Sequence, residues 1–208
     1  MRLDDMIYQL GSPPVKGTGF RVPRDSLDKD LLGPVSALVF DDTGARDLGG
    51  LLDGVAETGF EKRNLAKLLV DNTLPEDWRV GEALAELFLT DSHDCYFPWP
   101  DGRDQRKRGS SLPGADLVGF QRSNGRECFG FGEVKTSSHA AYPPSLVYGR
   151  HGLKQQMEDL RDSRDLRDGL VRYLGYRAHN ATRVSVADEI ISMTLRAHDR
   201  TVRLRHRA

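Results

Sequence analysis

The chain is short of several things, and each shortage closes off a class of protein. Two cysteines in 208 residues, Cys95 and Cys128, are too few for a disulfide framework or a four-ligand zinc site, so reduced thiols are the plain reading. Six histidines occur without His-Glu-x-x-His or comparable ligand spacing, and no zinc is assigned. No stretch reaches the roughly 18 consecutive apolar residues of a membrane-spanning helix. The opening "MRLDDMIYQLGSPP" also lacks the apolar run and cleavage site of a secretory leader. The expectation is a soluble, cytoplasmic protein with no membrane partner. Repeats and low-complexity tracts are absent as well. Lys and Arg (30) nearly balance Asp and Glu (31), so overall charge argues neither for nor against a polyanion, and any basic surface has to be local.

What remains is a chain long enough for one substantial core with an N-terminal elaboration. Residues 1–33 read as strand and turn material. "PVSALVFDD" (34–42) reads as a strand closed by the Asp41-Asp42-Thr43-Gly44 turn signal. "LGGLLDGVAE" and "RNLAKLLVDN" shift toward helical spacing, with Leu65, Leu68 and Leu69 on one face. The spacing in "LPEDWRVGEALAELFLTDSHD" predicts the strongest helix. Pro75 stands near its start, acids follow as the helix dipole prefers, and Val80, Leu84, Leu87 and Phe88 form an apolar stripe. Glu82 and Glu86 lie one turn apart beside that stripe. "CYFPW" reads as a short strand, and residues 152–178 as one long charged helix on Leu153, Met157, Leu160, Leu170 and Leu174. The short apolar runs after residue 180 fit helix or strand equally. The division expected is an α/β elaboration over 1–75 and a core domain over 76–208.

Within the core, "PGADLVGFQRSNGRECFGFGEVKTSS" (113–138) reads as a hairpin about Asn124-Gly125, the preferred pair for a two-residue type I′ turn. With those two residues as the loop, Ser123 faces Arg126 and, counting outward, Asp116 faces Glu133. Facing residues on adjacent strands have Cβ atoms about 4.5–5.5 Å apart. Side-chain alternation then places Lys135 on the face of both acids, continuing the row Val118, Phe120, Phe129 and Phe131. Leu117, Cys128 and Val134 form the other face, and both faces read as buried. Two opposed carboxylates repel, and one is driven toward protonation unless a cation intervenes. Mg²⁺ relieves the repulsion with hard oxygen ligands and few protein groups, and Mn²⁺ can substitute. A lysine ammonium beside it can position an attacking water or stabilise developing negative charge. Such a set is apparatus for metal-assisted phosphodiester hydrolysis.

Asp116, then Glu133-Val134-Lys135 on the neighbouring strand, behind a Glu-bearing helix, resembles the PD-(D/E)xK nuclease superfamily over roughly residues 78–175. The resemblance implies a restriction-endonuclease-like core, a mixed central sheet flanked by helices, with Asp116 and Glu133 as metal ligands and Lys135 as the catalytic lysine. The superfamily's additional helix acid falls on Glu82 or Glu86, with Glu82 preferred because it follows Gly81 where the helix begins. "RVGEALAE", "GADLVGF" and "GEVKTSS" further resemble nuclease subunits of bacterial anti-phage systems of the Hachiman type. That likeness implies a helicase partner. Nucleic acid, DNA before RNA, is the implied substrate, and cutting both strands asks for two sites, as in a homodimer.

Arg103, Arg106, Lys107 and Arg108 sit on the loop leading to Asp116 and read as phosphate contacts or as a solvated charged loop. Thr136, Ser137 and Ser138, with Gln155 and Gln156, could bond a nucleic-acid backbone, although loop and helix-surface polarity accounts for them as well. No aromatic ladder or recognition-helix signature makes base preference legible. Two other readings stay on the page. One is a nuclease-fold binding module with little activity alone, its acids and lysine forming a sheet-end ion cluster. The other rests on Asp42-Thr43-Gly44, which resembles the active-site turn of aspartic proteases but occurs once and is also an ordinary turn.

Overall fold

The computed structural model describes residues 1–12, 15–54, 59, 74–98, 114–123, 125–141 and 143–179. The chain is mixed α/β. Strands β1 (Met6–Ser12) and β2 (Val15–Phe20) pair antiparallel as a separate ribbon. Helix α1 (Arg24–Asp30) follows and runs through a π-helical turn (Leu31–Val35) into α2 (Ser36–Val39). The strand expected over 34–42 is therefore helical. Pro34 lies inside the widened turn, which accommodates a residue without the N–H of a regular ladder. Val35 is fully buried, and a short apolar run of this kind does not distinguish a buried helix from a buried strand.

Asp41 adopts a left-handed conformation (φ 48°), and its side chain accepts the Gly44 N–H at 3.1 Å. It caps α3 (Asp42–Asp53), so Asp42-Thr43-Gly44 forms the first turn of a helix. The protease reading, which needs that triplet in a turn following a strand, loses its structural context. The helical pattern around Leu65, Leu68 and Leu69 lies outside the described residues, as does everything after residue 179.

Helix α4 (Asp77–His93) starts after Pro75-Glu76 and stops at Asp94, a left-handed cap (φ 50°) that turns the chain into β3 (Cys95–Tyr96). It packs on the 31–39 helical stretch and on β3 and β4, joining the N-terminal region to the sheet. Its most buried residues are Glu82 and Ala83, while the expected stripe of Val80, Leu84, Leu87 and Phe88 is only half-buried.

Strands β4 (Leu117–Ser123) and β5 (Arg126–Gly132) pair in the register read from the sequence, from Ser123 with Arg126 to Leu117 with Gly132. β3 adds to β4, giving the order β3-β4-β5, antiparallel throughout, where a mixed sheet was expected. Phe120 is 0% exposed and stacks across the strands on Phe129, whose ring in turn parallels Phe131. Such cross-strand aromatic pairs help hold the register. The opposite face is buried at Leu117 but open at Cys128, so the hairpin is covered on both sides only toward the Asp116 end.

The long helix expected over 152–178 is two helices, α5 (Leu153–Asp162) and α6 (Arg164–His179). Ser163 leaves helical geometry (φ −80°, ψ 103°), and its hydroxyl accepts the Leu166 N–H, which starts the second helix as an N-cap does. Leu160 and Leu170 pack with Ala115 against Val118, Phe131 and Leu166, so both helices grip the base of the hairpin. Met157 points away and is 41% exposed. No helix among the described residues is long and apolar enough to cross a membrane.

Candidate active site

The paired ladder ends at Leu117 and Gly132, and Asp116 and Glu133 stand one step beyond it. There the strands no longer occupy each other's backbone groups, and the Asp116 carboxylate fills the gap by accepting the Val134 N–H at 2.7 Å. A charged acceptor on a backbone N–H is a strong bond, and it fixes the Asp116 side chain across the mouth of the hairpin. The Glu133 carboxyl is pushed up to about 7, first by burial, then by hydrogen bonding to and the charge of the neighbouring Asp116 carboxyl. Lys135 opposes the shift and Glu82 adds to it, so Glu133 lies within the field of all three groups.

Glu82 arrives from α4. It is 6% exposed, an expensive place for a carboxylate, and the Arg79 guanidinium meets its Oε2 at 3.2 Å. The helix comes this close because residue 81 is glycine. A Cβ there would run into the Thr136 hydroxyl and lie 3.3 Å from its Cβ. Gly81 thus lets the first turn of α4 rest against the strand end that carries Lys135. A cavity of about 360 Å³ opens beside the cluster, lined by Arg79, Glu82, Glu86 and Asp116 on its charged side and by α6 on the other.

The structure therefore brings Asp116, Glu133, Lys135 and Glu82 together, with Glu86 on the cavity wall. Lys135, Thr136 and Ser137 are exposed. Ser137 Oγ accepts the His139 N–H, so the loop after Lys135 is partly held by its own side chains. Gln155 points outward and bonds Asp159 at 3.0 Å, which removes it from the site. Its neighbour Gln156 turns inward, one helical turn before the buried Leu160, and its Oε1 is buried without a hydrogen-bond partner among the described residues. The i to i+4 spacing from Gln156 to Leu160 was the sequence signal that favours it over Gln155. Arg103, Arg106, Lys107 and Arg108 lie outside the described residues. Arg79 was not singled out from sequence. Its i, i+3 spacing to Glu82 is ordinary on a helix, so the sequence carried no distinguishing signal for it.

Chemically, the donor set fits a hard divalent cation: carboxylates only, one of them carrying a proton that a cation would displace. As they stand, no three His, Cys, Asp or Glu side chains among the described residues converge as a ready metal cage. Mg²⁺ asks for less, since one or two carboxylates with water complete its shell. Comparison with protein-family models, with curated proteins and with solved structures returns no match.

Proposed function

We propose that this chain is a metal-dependent nuclease of the PD-(D/E)xK type, hydrolysing phosphodiester bonds at the open end of its central hairpin. The observation that carries the reading is the placement of Asp116 and Glu133 one step past the last paired rung of the hairpin, with Asp116 fixed by the Val134 N–H and Glu82 and Lys135 acting on Glu133. Such an arrangement costs stability unless a cation resolves it, and a titratable group perturbed by burial and a like charge beside a cavity is a mark of functional sites. Asp116 and Glu133 would hold Mg²⁺ or Mn²⁺, with Glu82 or Glu86 completing or orienting the shell. When bound, the ion lowers the pKa of water and neutralises charge on the phosphate. Lys135, exposed at the mouth, orients the attacking water and meets the developing charge on phosphorus oxygens. Asp116 is kept in place by the Val134 N–H, so its geometry does not depend on the ion.

A restriction-endonuclease-like core would accommodate the hairpin with the Glu82 helix and the α5–α6 pair packed against it. The resemblance carries further proposals with it: DNA as the favoured substrate, a bacterial anti-phage setting, a helicase partner, and a homodimer where both strands are cut.

The test is cleavage of plasmid, linear duplex, single-stranded DNA and RNA by the purified chain in Mg²⁺ and in Mn²⁺, beside EDTA. Cutting that EDTA abolishes is the expected result. Cutting that survives EDTA, or none in any lane, contradicts it. The second reading, a binding module of the same fold, is favoured by one observation, the Arg79–Glu82 pair, which occupies an acid the metal would use. A module of that kind gives no rise in thermal midpoint at millimolar Mg²⁺ or Mn²⁺, whereas a metal site does.

A further inference from the structure

The carboxylates on this cavity have an internal cation already seated among them. Arg79 and Glu82 belong to the same turn of α4, and their side chains are almost wholly buried while in contact at 3.2 Å. An exposed i, i+3 pair would need no explanation, but this one lies on the wall shared with Glu86 and Asp116. A guanidinium at that place meets two needs. It lowers the cost of burying the Glu82 carboxylate, and it draws the Glu82 Oε2 toward the helix start. Arginine suits the task because it stays charged whatever its burial and bonds carboxylate oxygens in a fixed plane.

Resting on the nuclease reading above, we propose that Arg79 is a place-holding counter-ion: it keeps Glu82 paired while the site holds no metal and is displaced from it when a divalent cation binds. Two cations compete for one carboxylate, so Arg79 weakens metal binding in the free protein. Once released, its guanidinium lies on the cavity wall, where a substrate phosphate would meet it. Arg79 is a positioning residue in this scheme, acting on the metal through Glu82.

The test is calorimetric titration of the full-length chain with MnCl₂, without nucleic acid, for wild type, Arg79→Gln, Arg79→Lys and the pair of Glu82→Gln variants with and without Arg79→Gln. Arg79→Gln is expected to bind Mn²⁺ about tenfold more tightly than wild type, which corresponds to about 1.4 kcal/mol. In the Glu82→Gln background the same substitution is expected to change nothing. Thermal midpoints give the second readout: Arg79→Gln melts below wild type without metal, and the gap closes at saturating Mn²⁺. Equal or weaker binding by Arg79→Gln, or an equal loss of midpoint with and without metal, overturns the proposal and makes the pair a structural brace. If Arg79→Gln does not fold without metal, Arg79→Lys carries the test, with binding a few-fold tighter than wild type expected. No binding by any variant, wild type included, would refute the metal site itself, a different outcome from equal binding by all.

Discussion

Asp116 and Glu133 stand immediately past the last paired rung of the β4–β5 hairpin, where the Asp116 carboxylate accepts the Val134 N–H at 2.7 Å. Neighbouring carboxyls oppose each other's ionisation, and this one relationship generates most of what the site can do.

The first consequence is a dependence on pH. Glu133 titrates near 7 in the folded chain against an ordinary value of 4.5. Between these values the folded state keeps a proton that the unfolded chain has released. The contribution of Glu133 to stability therefore falls as pH rises through that window and is level above it. Relative to Glu133→Gln, which cannot titrate, the wild-type thermal midpoint is expected to drop from pH 5 to pH 8. The gain in midpoint from Mn²⁺ is expected to be larger at pH 8 than at pH 6, because the proton no longer has to be displaced. A wild-type minus Glu133→Gln difference that is constant across this range would contradict the raised titration of Glu133.

Gly81 allows a test of helix placement. In an open helix, Gly→Ala gains about 1 kcal/mol from propensity. Here the added Cβ meets Thr136, and overpacking of that kind costs about 1–3 kcal/mol. Gly81→Ala is expected to destabilise the wild type in urea unfolding and to stabilise a Thr136→Ala background, a reversal that a double-mutant cycle reads directly. The same sign in both backgrounds would separate α4 from the strand end.

Gln155 and Gln156 are adjacent and should behave differently. Gln155→Ala is expected to change stability by less than about 0.5 kcal/mol, as for an exposed position. Gln156→Met removes a buried oxygen without a partner among the described residues, and is expected to raise stability by about 1 kcal/mol in urea unfolding. Equally small effects from both substitutions would contradict the inward placement of Gln156.

The hairpin was legible in the sequence to the individual rung, because an Asn-Gly loop and side-chain alternation leave little freedom of register. The same signals placed Asp116 opposite Glu133 before any packing was known. Helix α4 was legible for a related reason, its length and caps being strong local signals. Residues 34–39 misled because "PVSALVF" is a short apolar run whose conformation is decided by what buries Val35, a tertiary fact. The break at Ser163 was missed because the charged repeat continues across it, although Ser163 is a good N-cap residue. Arg79 was invisible for another reason: an arginine three residues from a glutamate is ordinary on a helix, and only burial gives the pair its meaning.

The most direct test of the central claim is the single-turnover rate of cleavage of a labelled substrate in Mg²⁺ by wild type, Lys135→Ala and Glu133→Gln, each checked for a folded thermal transition. Loss of about 10²–10⁴-fold in Lys135→Ala, the range expected for removing a positioned proton-handling group, with equal or greater loss in Glu133→Gln, is what the account requires. Folded variants that cut at the wild-type rate would contradict it and place the chemistry somewhere other than the end of the hairpin.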